Sequence, residues 1–134
     1  MTGSGHAKFT FRKDERLTGK KNIEELFKHG SSFYFHPILI KFLPRPEEST
    51  NRVLVSVPKK KFKRAVDRNL LKRRIKEIYR LNKNQIFEGQ PPFYHIAVVY
   101  LNQAILPYAE IEPKLIDLLK RIKNLKTKAD EEKI

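Results

Sequence analysis

The chain contains no cysteine, and its single methionine is the first residue. That absence excludes a disulfide framework and a thiolate metal site, and nothing points to an oxidising compartment. Only five glycines are spread over 134 residues, none in a phosphate-cradling loop. No run of 18 apolar residues occurs, and the first 20 residues lack a signal-type apolar segment. The expectation is a soluble, cytoplasmic protein with no membrane partner. Acids are scarce as well. Asp14, Glu15, Asp67 and Glu77 are scattered where a two-metal nuclease would cluster carboxylates, and His6, His29, His36 and His95 show no ligand spacing. No catalytic residue and no metal site are therefore expected on the protein itself.

What the chain has in excess is positive charge, 29 Lys and Arg against 15 Asp and Glu, for a net +14. This is far more than solubility requires, so the natural partner is a polyanion. A hydrophobic content of 40% argues for one folded domain, not a disordered basic tail. The expected division is a flexible leader over 1–9, a domain over 10–124 and a charged flexible tail over 125–134.

Apolar periodicity supplies the elements. NIEELFKHG predicts a short helix with Asn22 as N-cap, Glu25 completing a capping box and Gly30 as the stop. SFYFHPILIKFLP, interrupted by Pro37, reads as two short strands or one bent edge strand, and RVLVSVP from Arg52 alternates as a strand. A basic helix over roughly 64–82 follows, then the loop EGQPP. YHIAVVYL is an apolar run suited to a strand covered on both faces. Ile111, Leu115, Leu118, Leu119 and Ile122 form a helical stripe starting near Pro113. The order is αβββαβα, an α+β class, with the strands at Arg52 and Tyr94 parallel because a helix joins them.

Between Pro58 and Arg80 stand eleven cations and two acids, which puts nine of the fourteen net charges in about a sixth of the chain. At about 100° per residue, Arg68, Lys72, Arg73, Lys76 and Arg80 fall on one arc that also holds Asn69, while Val66, Leu70, Leu71, Ile75, Ile78 and Leu81 fill most of the remainder. Neighbouring cations repel, and so few acids leave that repulsion standing until a phosphate backbone relieves it. Asn69 is a mediocre helix former. Its amide either ties down the preceding loop or donates and accepts toward a ribose, a base edge or a neighbouring Arg.

The stretch VSVPKKKFKRAVDRNLLKRRIKE resembles the signature of the protein subunit of bacterial ribonuclease P: Lys59-Lys60, Ala65, Arg68-Asn69 and Lys72-Arg73 after a strand. ERLTGKKNIEELFKHGSS, with Arg16-Leu17 and Phe27, is similar to that family's first helix, and the likeness spans roughly residues 10 to 124. The chain departs from the pattern at Leu70, where many members have Arg, at Lys76, again in place of Arg, and at Ile23, where an aromatic is common. Lys76 lacks the two-pronged phosphate grip of Arg.

The resemblance implies a small two-layer α/β sandwich with a left-handed βαβ crossover through the basic helix, a handedness composition could not show. It implies hydrolysis of precursor tRNA at the 5′ leader by a catalytic RNA with Mg²⁺ held mainly by that RNA, the protein supplying affinity and orientation. By position, Lys59, Lys60, Arg64, Arg68, Asn69, Lys72, Arg73 and Lys76 would contact the RNA subunit in a 1:1 complex with a monomeric protein. Phe27, Ile23, Lys41 and Phe42 would line a cleft for the single-stranded leader. For Phe27, plain core packing is the competing reading. A ribosomal or chaperone-like RNA binder with no part in cleavage is the alternative function.

Overall fold

A computed structural model describes residues 11–132, with side chains through Leu125; the expected leader lies outside the described residues. After a 3₁₀ turn at Lys13–Glu15 come helix α1 (Lys20–His29), strands β1 (Ser31–Phe35), β2 (Ile38–Pro44) and β3 (Arg52–Ser56), helix α2 (Ala65–Phe87), strand β4 (Tyr94–Tyr100) and helix α3 (Tyr108–Glu132). This is the expected α+β order. Pro37 does divide the aromatic segment into two strands, joined as an antiparallel hairpin.

Four element ends differ from expectation, one being the end of α2, which runs to Phe87 where a stop near 82 was expected. Helix α1 begins one turn before Asn22, because Gly19 adopts a φ of 93° and turns the chain into the helix there. Asn22 instead lies inside α1 with its amide near Thr18 O, and Glu25 pairs with Arg45 where a capping box was expected. At the other end Gly30 is obligatory, since a Cβ there would stand 2.4 Å from Leu26 O. Helix α3 starts at Tyr108, with Pro107 O accepting the first helical bonds, so Pro113 sits in its second turn. Its backbone also runs through 125–132, where a tail was expected.

The four strands lie in the order β1-β2-β4-β3, with β3 and β4 parallel and linked by α2. Alternation along each strand sorts the sheet into two faces. Ile38, Ile40, Phe42, Val53, Val55, Ile96 and Val98 face the main core, where they meet Leu71, Ile75 and Ile78 of α2 and Leu115, Leu118, Leu119 and Ile122 of α3. The opposite face is covered in part by α1: Leu26 packs with Leu17, Ala97, Leu43 and Leu54. The sheet and α2–α3 thus form the two layers, and α1 lies on the far side. Coverage from both sides explains why every residue of β4 is buried.

Candidate RNA-binding surface

Helix α2 buries Leu71, Ile75, Ile78 and Tyr79 and, toward its C-terminal end, Lys83, Ile86 and Phe87. That face is displaced from the one the periodicity suggested. Val66, about half a turn from Ile75 on the helix, is 67% exposed, and Leu81 at that face's margin is also exposed. The loop before α2 is anchored by Phe62, which is buried against the Tyr100 ring at 6.0 Å. Lys59 and Lys60 on that loop are solvent-exposed, as is Arg64 at the helix start.

The residue that ties this loop to the helix is Arg68. Its Nη1 donates to Phe62 O at 2.8 Å and Lys63 O at 2.9 Å. The Asn69 side chain makes no hydrogen bond among the described residues and is exposed, so its amide faces outward. Arg73 and Lys76 are exposed and Lys72 half-buried on the same arc. Arg80 belongs to the arc by angle, but Glu77 takes its charge through contacts of 2.6 and 3.0 Å. Arg74 stands off the arc and donates to Leu106 O at 2.6 Å, fastening α2 to the segment before α3.

The structure adds a cation that periodicity within α2 could not find. Arg16, from the segment before α1, stands with Lys72 and Lys76 around a cavity of about 240 Å³ that Phe11, Thr18 and Leu54 also line. Burial, then the charges of Arg16 and Lys72, hold the Lys76 ammonium below its ordinary pKa. No acid pairs with these three among the described residues. Arg16 is brought there by pairing alongside Val53 of β3, a long-range contact that leaves no local signature, and stacks over Phe11.

On the α1 side, Ile23 and Phe27 are one turn apart. Ile23 is partly buried against Leu26 and Leu17, while Phe27 is 41% exposed and so is not a core residue. Lys41 pairs across the sheet with Ala97, which places it on this same face, and its Nζ lies 3.3 Å from Ser32 Oγ. Phe42 does not join them. Successive strand residues point to opposite faces, and Phe42 is buried in the main core, stacked on Phe33 at 5.2 Å and edge-on to Tyr94 at 6.0 Å.

Several acids are engaged: Glu15 with buried Lys83, Glu25 with Arg45, Glu48 with Arg52 and His95, Glu77 with Arg80, and Asp117 with Arg121. Among the described residues no group of three or more His, Asp or Glu is gathered to hold a metal ion, and no helix is long and apolar enough to cross a membrane.

A four-stranded α+β sandwich on which Lys72, Arg73 and Lys76 of one helix meet no acid among the described residues defines a class, small basic proteins with a cationic face. Comparison with known proteins narrows it. The Ribonuclease P family model matches residues 11–123, and the chain belongs to that family. The ribonuclease P protein component of Porphyromonas gingivalis is 32% identical over 121 residues, covering 87% of this chain and 88% of that relative. That of Petrotoga mobilis is 34% identical over 115 residues, covering 84% and 95%. Two solved structures share the fold. The Staphylococcus aureus RNase P protein has a TM-score of 0.69 at 25% identity, covering 81% of this chain and 95% of that one, and the Thermotoga maritima protein has 0.68 at 28%, covering 80% and 96%.

Proposed function

We propose that this chain is the protein subunit of a ribonucleoprotein that removes the 5′ leader from precursor tRNA, the RNA subunit carrying out the hydrolysis in the cytoplasm. The α2 arc would grip the RNA subunit through Lys72, Arg73 and Lys76, extended by Lys59, Lys60 and Arg64 on the loop and helix start. Asn69 would read a ribose or base edge, and Arg68 would hold the loop in place while lending its charge. Phe27, Ile23 and Lys41 would guide the single-stranded leader across the α1 face, an aromatic and a cation beside an apolar floor being what sequence-tolerant binding requires. Mg²⁺ would be held mainly by the RNA, in a 1:1 complex.

The observation that carries this reading is the set of cations on and beside α2, Lys72, Arg73 and Lys76 with Arg16, that no acid pairs with among the described residues. Reconstitution tests it. With a bacterial ribonuclease P RNA at low Mg²⁺, the purified chain should rescue cleavage of precursor tRNA, and the chain alone should cleave nothing. Cleavage without RNA would place the chemistry on the protein. Tight RNA binding with no gain in cleavage would favour a chaperone-like binder.

A further inference from the structure

The sheet has a second aromatic surface, at the edge opposite β3. In β1 and the turn after it, Tyr34 is 53% exposed, Phe35 is 38% exposed and His36 is exposed, although three adjacent rings in a domain this small would ordinarily be drawn into the core. They are held in place. Tyr34 Oη and His36 Nδ1 are 2.9 Å apart, with the rings edge to face at 6.3 Å. Phe35 carries Lys114 Nζ at 5.8 Å and Arg121 Cζ at 5.6 Å from its ring centre, both cations coming from α3. Asp117 neutralises Arg121 at 2.9 Å, and Lys114 has no acid partner among the described residues.

Register connects this patch to the α1 face. Tyr34 pairs with Leu39, and Ser32 pairs with Lys41, so Tyr34 and Lys41 project on the same side of the sheet, while Phe35 projects on the other. A strand lying over Lys41 and leaving across β1 meets Tyr34 first and the Phe35–Lys114–Arg121 corner next. We propose that this edge is a stacking platform for unpaired nucleobases, which extends the leader's path beyond the α1 face; the inference rests on the leader reading above. A second copy of the chain is the poorer occupant, because pairing β1 with β1 would bring together the Lys114 cations of two molecules that each carry +14. RNA brings phosphates to the cations and flat bases to the rings.

The test uses the reconstituted complex with precursor tRNAs of short and long leader and with mature tRNA. The double substitution Tyr34→Ala, Phe35→Ala removes exposed rings, so the fold should persist, as circular dichroism would check. It should weaken binding of the long-leader substrate about tenfold, the scale of one stacked base, and leave the short-leader substrate unchanged. Phe27→Ala should weaken both. If the wild type shows a leader advantage that Phe27→Ala abolishes and the double variant leaves intact, the platform is refuted while the α1-face reading survives. With no leader advantage in the wild type, both fall. A dimer in sedimentation that the double variant dissolves would make the edge a self-contact and overturn the proposal too.

Discussion

Arg68 Nη1 lies 2.8 Å from Phe62 O and 2.9 Å from Lys63 O, so the motif's arginine is bonded to the backbone of the lysine loop it follows. Arg68→Ala should therefore act on the free protein as well as on RNA binding. The expected loss is about 1 kcal/mol in denaturant unfolding, discounted from the usual range for charged hydrogen bonds because the group is half-exposed. Arg73→Ala, an exposed cation without such bonds, should leave stability within about 0.5 kcal/mol. Equal stability of the two variants would mean the loop holds itself.

Binding should separate the same residues differently. Each arc cation that meets a phosphate contributes about 0.9 to the slope of log K against log salt. Lys72→Ala combined with Arg73→Ala should flatten the slope by nearly two contacts at unchanged stability. An unaltered slope in that variant would remove those cations from the interface.

How far the sequence revealed this surface depends on the distance its information travels. Period and charge placed α2 and most of its arc, because a helix face is set by residues three and four apart. Val66 and Leu81 are apolar yet exposed, and periodicity does not say which part of the apolar circumference the neighbours cover. Arg16 and Phe62 were out of reach, since one is brought in by pairing beside Val53 and the other by packing on Tyr100. Phe42 was legible and misplaced, for strict alternation already sets it on the opposite face from Lys41.

That opposition yields a paired prediction. Phe27→Ala should cost little stability, because the ring is 41% exposed, but should reduce affinity for substrates with a leader more than for mature tRNA. Phe42→Ala should cost about 3–5 kcal/mol in unfolding free energy, as a buried ring lost from the core, with no selective effect on leader-bearing substrates. Leader-selective loss in Phe42→Ala would return that residue to the cleft.

The crowding of Arg16, Lys72 and Lys76 is measurable directly. Burial and its two neighbours depress the Lys76 pKa in the free protein, so an anion entering between them should raise it. NMR titration of the lysine side-chain nitrogens should show Lys76 losing its proton below the ordinary lysine value of 10.5, and at higher pH once inorganic phosphate is added. Arg16→Ala should raise the free value part of the way. A Lys76 titration insensitive to both would mean the three charges do not share a site.

Glu48 supplies the pH dependence of folding. It accepts from Arg52 Nε at 2.9 Å and lies 2.7 Å from Nε2 of buried His95, thereby joining the 45–51 connection to β3 and β4. Burial alone would raise its pKa, but the hydrogen bonds from His95 and Arg52 outweigh that and hold the carboxyl below its ordinary value of 4.5. A carboxyl whose folded pKa is depressed adds stability that is fully present above the unfolded pKa and is lost as pH falls through the folded one. Glu48→Gln should therefore cost about 2 kcal/mol at pH 7, the scale of charge-assisted bonds in a largely buried setting. The gap to the wild type should shrink below about pH 4.5 as the native carboxylate takes up its proton. Guanidinium unfolding of both proteins across that range reads the difference, and a gap of constant size down to pH 2 would show that Glu48 contributes through packing and not through its charge.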